Sequence, residues 1–328
     1  MKRLIPVLLS LVLVLALVPA TDARKKKDRK PGADSAPAET AAKDVPVTAT
    51  LQLDQAVYEV GQVIRGEATL VNRSAAWHEI PDASTLPRSL RLVGEDGKEI
   101  APAGAEKFGA ARTTSLGPGG FVGFAFDAAL LFPGLSQPGR YTLAFRPEGI
   151  PPVEASFRVI PAFDPAARYE LHLATPAGPV TIELFTGDAP EAVHNVVSLA
   201  RAGGYADPRQ VRIRKGMLAL VGHGGPRFRF RGEETPIQLL AGTVIVQPAG
   251  RTFREGNTPN LGILLEPRPD WQGKVTAIGQ VTEGLEALLT LAKTPVRRDG
   301  SGRPISPLDL KVTVVEKKAS GEGAGGDD

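Results

Sequence analysis

The feature that most constrains this chain is its punctuation. Glycine and proline, 36 and 29 of the 328 residues, break the sequence into short runs. Most of these runs alternate apolar and polar residues with the period of two that a half-buried strand requires. Helical spacing takes over in two places, after Pro190 and after Gly284. A chain cut this way folds mainly as β-structure with few helices. Its length exceeds what one ordinary core serves, so two folded domains are expected.

The first domain is expected over residues 47–161. "TATLQLDQAVYEVGQVIRGEATLVN" alternates around a turn at Gly61, and "SLRLVGEDGKEI" reads as two strands about a Gly-Lys turn. "GRYTLAFRPE" and "VEASFRVI" alternate again. Turn signals at this spacing are those of a β-sandwich. "PGRYTLAF" resembles the Tyr-corner strand of immunoglobulin-like domains, with Tyr141 at the corner. The resemblance implies a spacer or a module that binds a protein partner. Trp77 and His78 fall in a loop, where local packing is the expected role of the aromatic.

The second domain is expected over residues 162–316. "YELHLATPAGPVTIELF" reads as a hairpin turned at Ala177-Gly178. Asp188 is placed to cap the next helix, with Pro190 early in it and Glu191 three residues on. Val193, Val196, Val197 and Ala200 give that helix one apolar face, and Gly203-Gly204 ends it. Leu285, Leu288 and Leu289 mark a second helix before the closing strand "PLDLKVTVVE". Helices near both ends of an antiparallel sheet suggest a closed barrel capped by two helices.

This order of segments resembles cyclophilin-type peptidyl-prolyl isomerases. Leu184, Phe185, Ala189, Pro190, Val193, Asn195, Leu199, Ala200 and Tyr205 fit that family's opening strand and helix. "AGTVIVQPAG", "NTPNLGILL" and "GKVTAIGQVTEGLEAL" are similar to its later segments, in the right order. Together with the Tyr-corner strand, the resemblance implies a fold of an immunoglobulin-like β-sandwich followed by a cyclophilin-like closed antiparallel β-barrel. It implies proline-containing peptide or protein segments as partners, and no cofactor.

It also implies a site. Rotation about an X-Pro bond faces a barrier of roughly 20 kcal/mol, because the C–N bond has double-bond character. A guanidinium that bonds the substrate backbone and the developing nitrogen lone pair favours the twisted state, while an apolar pocket holds the ring. In "QVRIRKGMLALVGHGG", Arg212 falls at the family's catalytic Arg position and Gly216 is kept. Gln210 and Val211 stand for the aromatic and His before it. Met217 and Leu218 stand for the pocket aromatic and Met, and Leu220 for the Gln that bonds substrate. Gly262 takes the second Gln position, Ile263 and Leu264 replace two Phe, Trp271 sits where the family usually has Leu, one residue past its occasional Trp, and Val275 replaces the pocket His. Losing one positioned donor can cost orders of magnitude in rate. The alternative reading is therefore a non-catalytic binding or scaffold module, with Arg212 an ordinary strand residue beside Arg214.

Other features bound the setting. Without cysteine there are no disulfides, thiolate metal sites or Cys nucleophiles. Residues 1–23 carry Lys2 and Arg3, then an apolar run from Leu4 to Leu17, then "VPA" and "TDA", the pattern of an export signal. Periplasmic or secreted location is expected, or membrane anchoring if the signal is not cleaved. Residues 24–46 read as a basic and Pro/Ala-rich disordered linker, and 317–328 as a flexible tail. The net charge of +3 is a property of the "RKKKDRK" run, since the chain beyond residue 30 is net negative. A nucleic-acid footprint is not indicated, while the basic run suits an anionic membrane surface. "PRFRFRGEE" at 226–234 is explained by strand alternation. "GHGG" at 222–225 has no G-x-S-x-G partner, so hydrolase chemistry is unsupported. The four histidines have no metal-ligand spacing.

Overall fold

The computed structural model describes residues 45–108, 112–223, 231–248 and 257–317. The expected export signal, nearly all of the linker, the tail after Lys317 and most of the 226–234 run lie outside these residues.

The N-terminal half builds two larger sheets and a two-stranded ribbon. β1 (Val47–Leu53), β2 (Val57–Glu59), β3 (Arg65–Asn72), β4 (His78–Pro81), β5 (Leu90–Val93), β6 (Glu99–Ile100), β7 (Thr113–Leu116), β8 (Phe121–Asp127), β9 (Gly139–Phe145) and β10 (Val153–Ile160) follow in order. One sheet runs β1-β3-β8, the other β2-β10-β9-β5-β6, and β4 pairs β7. β2 lies parallel to β10, while β10 and β9 are antiparallel. Alternation decides which side chains meet between the sheets: Ala68 and Leu70 from one, Leu90, Leu92, Leu143, Phe145 and Phe157 from the other. The Tyr141 hydroxyl donates to the carbonyl of Gln137 at 2.9 Å, four residues upstream. Tyr58 meets Phe157 edge-on, and its hydroxyl donates to Asp54 at 2.6 Å.

The C-terminal half is one eight-stranded antiparallel sheet with two helices. Its strands are β11 (Arg168–Thr175), β12 (Gly178–Leu184), β13 (Val211–Arg214), β14 (Met217–Leu220), β15 (Thr243–Pro248), β16 (Asn257–Leu264), β17 (Thr276–Glu283) and β18 (Lys311–Lys317). The short helix α1 (Ala128–Leu131) belongs to the first half, and α2 (Pro190–Arg201) and α3 (Leu285–Leu291) to the second. The order is β13-β14-β16-β15-β17-β12-β11-β18. The closed barrel expected from the sequence is here a curled sheet, because no described ladder joins the edge strands β13 and β18. Curling still brings both edges to one core: Ile213 of β13 and Val312 and Val314 of β18 share a cluster with Leu171, Ile182 and Ile263. The hairpin turn sits one residue earlier than expected, at Pro176-Ala177, with Thr175 facing Gly178.

Helix α2 starts at Pro190 and buries Val193, Val196, Val197 and Ala200, the face its spacing requires. Its cap differs from expectation. Asp188 does not cap it. The N-cap residue is Ala189, and the carboxylate of Glu233 accepts from the backbone N–H of Glu191 at 3.1 Å and of Ala192 at 2.9 Å. Proline at the first helical position offers no N–H, so the orphan donors begin at Glu191.

The halves meet along α2. Glu59, at the end of β2, accepts from Ser198 and pairs with His194 Nε2 at 2.7 Å. Phe163 stacks between His194 and Tyr169, with ring centroids 4.6 and 5.1 Å away. Arg201 donates to the carbonyls of Pro161 and Ala162 and pairs with Glu316 at 2.7 Å. Arg158 donates to the carbonyl of Ala202 at 3.0 Å.

Candidate functional site

The candidate site lies where β13, β14, β16, β15 and β17 adjoin. Gly216 turns β13 into β14 and places Arg212 opposite Ala219, and Arg214 opposite Met217. β14 then sets Ala219 against Gly262 and Met217 against Leu264. Gly262 faces Ile245, which faces Ala277. Directly opposed residues share a face, and successive residues alternate. One row therefore reads Arg212, Ala219, Gly262, Ile245, Ala277. The other reads Ile213, Leu218, Ile263, Val244.

This alternation sorts the pocket residues expected from the sequence. Met217, Gly262, Leu264, Trp271 and Val275 belong to the Arg212 face. Leu218, Leu220 and Ile263 lie on the opposite face, inside the main core of the sheet. The physical reason is the period of two, which cannot aim consecutive residues such as Met217 and Leu218 at one pocket. Sequence reading missed Ala219, Ile245 and Ala277 on the site face, and Ile237 and Leu239 from a segment that crosses it.

That segment, residues 231–240, is pinned in place. Glu233 N–H donates to Thr276 Oγ1 at 2.9 Å, Gln272 Nε2 to the carbonyl of Ile237 at 3.0 Å, and Arg268 N–H to the carbonyl of Leu239 at 2.8 Å. Leu239 is buried against Met217, Ile245, Leu264 and Ala277. Trp271 flanks the cluster, with the Arg268 guanidinium 3.8 Å above its ring. Met217 lies over Gly262 so closely that a Cβ there would meet its sulfur at 2.8 Å. The space a second Gln side chain would fill in the family pattern is thus occupied by methionine.

Arg212 is partly exposed. Its Nη1 donates to the carbonyls of Arg209 at 2.6 Å and Val211 at 2.9 Å. Burial pulls its pKa down, the positive charges of Arg303 and Arg214 add to that, and Asp299 opposes it. The guanidinium thus presents a cation and N–H donors at the edge of a packed aliphatic face. Gln210 is buried. With its amide turned so that nitrogen donates, it joins the carbonyls of Gly204 and Val221, a structural stitch where the family pattern has an aromatic. Among the described residues, no group of three or more His, Asp or Glu is placed to hold a metal ion.

The family model for "Cyclophilin type peptidyl-prolyl cis-trans isomerase/CLD" matches residues 170–315. A peptidyl-prolyl cis-trans isomerase of Synechococcus elongatus is 32% identical over 35% of this chain and 81% of its own. One from Schizosaccharomyces pombe is 30% identical over 44% of this chain and 97% of its own. The crystal structure of a Cryptosporidium parvum cyclophilin type peptidyl-prolyl cis-trans isomerase, in the presence of the dipeptide Ala-Pro, aligns at TM-score 0.39 and 21% identity, over 46% of this chain and 99% of its own. By the family match and these relatives, the chain belongs to the cyclophilin-type peptidyl-prolyl cis-trans isomerase family.

Proposed function

We propose that this chain is an exported member of the family that serves as a protein-binding module of the cell envelope and accelerates X-Pro isomerisation only feebly. The observation that carries the reading is the filled face beside Arg212. Met217, Leu239, Ile245 and Leu264 are each at most 4% exposed, so the apolar side chains beside Arg212 are packed against one another rather than presented to a ligand. Catalysis by this chemistry needs a donor and a ring pocket together. The chain keeps Arg212 and substitutes the glutamines and the pocket aromatics. Export is supported by the pattern of residues 1–23. An immunoglobulin-type N-terminal domain is supported by the two-sheet order and by the Tyr141 hydroxyl bonding back four residues. Such a sandwich supplies a second surface for a protein partner.

The second reading is a divergent isomerase acting on X-Pro segments of envelope proteins. It is favoured by Arg212, whose side chain shares a face with the cluster and carries donors at its rim. The experiment is exchange NMR on a panel of X-Pro peptides with the full chain and with Arg212→Ala. Peptide shifts with equal, near-uncatalysed rates for both proteins are expected. Acceleration that disappears in Arg212→Ala would overturn the binding-module reading in favour of the isomerase. Neither shifts nor acceleration would remove proline segments as partners of this face.

A further inference from the structure

The first sandwich presents a rigid aromatic tip that neither domain's core uses. Trp77 is 70% exposed and Phe121 60% exposed, so the local packing expected for Trp77 does not cover it. Both flank the turn from Gly117 to Gly120. The Trp77 ring lies on Gly117, where a Cβ would meet it at 3.1 Å. Ala75 and Ala76 beside it are exposed. The loop is held by Asn72, whose buried side chain donates to the carbonyls of Ala76, Leu116 and Gly117 at 2.8, 3.0 and 3.0 Å. Across the sheet, Phe121 faces Val71 and Val71 faces Thr48. Thr48 takes a hydrogen bond from exposed Arg73 at 3.2 Å. A cation, two apolar residues and an indole thus share one end. The nearby acid Glu79 has its carboxylate engaged by Ser115.

The chain itself says what this end faces. Strand β1 begins here, with Val47 opposite Asn72 and the carbonyl of Pro46 accepting from Arg73 N–H at 2.8 Å. The sequence before it holds the apolar run Leu4–Leu17 and six basic residues between Arg24 and Lys30. The 14 residues from Pro31 to Asp44 can span at most roughly 50 Å. Val63 and Leu130 are also exposed, but they lie at the far ends of β3 and β8, away from where the chain enters.

We propose that the tip carrying Arg73, Trp77 and Phe121 rests on an anionic phospholipid bilayer, to which the preceding apolar and basic runs bring it. Trp suits the headgroup level, where an amphipathic ring has one wet and one apolar side, and Phe adds apolar surface that buries at the headgroup/acyl boundary. Each basic residue near such a surface strengthens binding about fivefold. The inference is independent of whether the Arg212 face catalyses. It shares with the proposed function only the premise that residues 1–23 direct the chain to the cell envelope.

Of the two tryptophans, Trp271 is removed as Trp271→Phe, so that Trp77 reports alone. The full chain is reconstituted with vesicles of phosphatidylglycerol and phosphatidylcholine, with and without brominated lipid. Expected are a blue shift of Trp77 emission and quenching by the bromolipid, both weakened severalfold by Phe121→Ser with Arg73→Glu and by purely zwitterionic vesicles. Emission of a water-exposed indole, unquenched in protein that floats with the vesicles, would overturn the proposal. So would failure to float at all. A blue shift without lipid, in a chain that sediments as a dimer, would assign the tip to a second copy and overturn it equally.

Discussion

The sulfur of Met217 lies directly over the backbone of Gly262, where a Cβ would sit 2.8 Å from it and 3.0 Å from Ile245 Cγ1. The two residues lie diagonally across neighbouring strands, Met217 opposite Leu264 and Gly262 opposite Ala219, and fit only because one has no side chain. Gly262→Ala must displace Met217 or Ile245, and overpacking of this kind costs about 1–3 kcal/mol. Met217→Ala made alone should also destabilise, by about 2–5 kcal/mol, through the cavity it leaves. The double variant should lose clearly less than the sum, since each change relieves the other. Urea unfolding of the four proteins measures this, and strict additivity would show that the contact is not the constraint.

Much of this architecture is legible in the sequence, for reasons that particular residues make clear. Helix α2 announces itself through Pro190 and the spacing of Val193, Val196, Val197 and Ala200, all local signals. Its cap does not, because Glu233 arrives from 42 positions downstream of Glu191. β14 reads "MLAL", apolar on both faces, so composition alone offers no hint of which residues turn towards Arg212. Pairing the strands across a two-residue turn at Lys215-Gly216, which sets Arg214 opposite Met217 and Arg212 opposite Ala219, would have separated Met217 and Ala219 from Leu218 and Leu220. The burial of Leu239 over that face is a long-range fact with no local signature. Trp77 misled in the other direction, since an indole lying on a glycine can be fixed in place and still face water.

Glu233 should behave as a remote helix cap. Glu233→Ala removes the acceptor for two backbone N–H groups and should cost about 0.5–2 kcal/mol. Glu233→Gln keeps an acceptor and should cost less. Burial raises the Glu233 carboxyl above its ordinary value, against the pull of the two N–H groups. A raised carboxyl binds its proton more tightly when folded, so wild type should gain stability relative to Glu233→Gln as pH falls through the raised value. Thermal unfolding from pH 7 to pH 4 shows this as a gap between the two curves that widens in favour of wild type. A constant gap would remove the charge from the account.

Asn72 should prove to be the lock of the Trp77 loop. Its amide donates to three carbonyls, and its oxygen accepts from the N–H of Ser74 at 3.0 Å and the hydroxyl at 2.9 Å. Asn72→Ala leaves these groups unsatisfied, at a cost of about 1–3 kcal/mol. Asn72→Asp sets a negative oxygen against the carbonyls it replaced donors for, so it should be worse at pH 7 and partly recover when the acid is protonated. Hydrogen exchange at residues 72–77 and 116–120 should rise in both variants before the rest of the N-terminal half changes. Unchanged protection there would mean the backbone holds the loop without this side chain.

The junction of the two halves should carry its own pH dependence through Glu59. Burial works to raise this carboxyl, but hydrogen bonds from His194 and Ser198, the charge of His194 and the N–H of Phe163 outweigh it and hold it below its ordinary value of 4.5. A carboxyl lowered by folding contributes stability that is fully present above that ordinary value and lost as pH falls through the lowered one. Glu59 therefore ties the end of β2 to α2 at neutral pH and releases it in acid. Glu59→Gln should lower stability by about 1–3 kcal/mol at pH 7, and the difference from wild type should shrink below pH 4.5. His194→Ala removes one donor and the stacked partner of Phe163, so it should give a smaller loss than Glu59→Ala. Proteolysis between Pro161 and Ala167 offers the local readout: cleavage should quicken in Glu59→Gln at pH 7 and in wild type only under acid. Equal cleavage of both proteins at pH 7 would show that Phe163 and Arg201 hold the junction without the carboxylate.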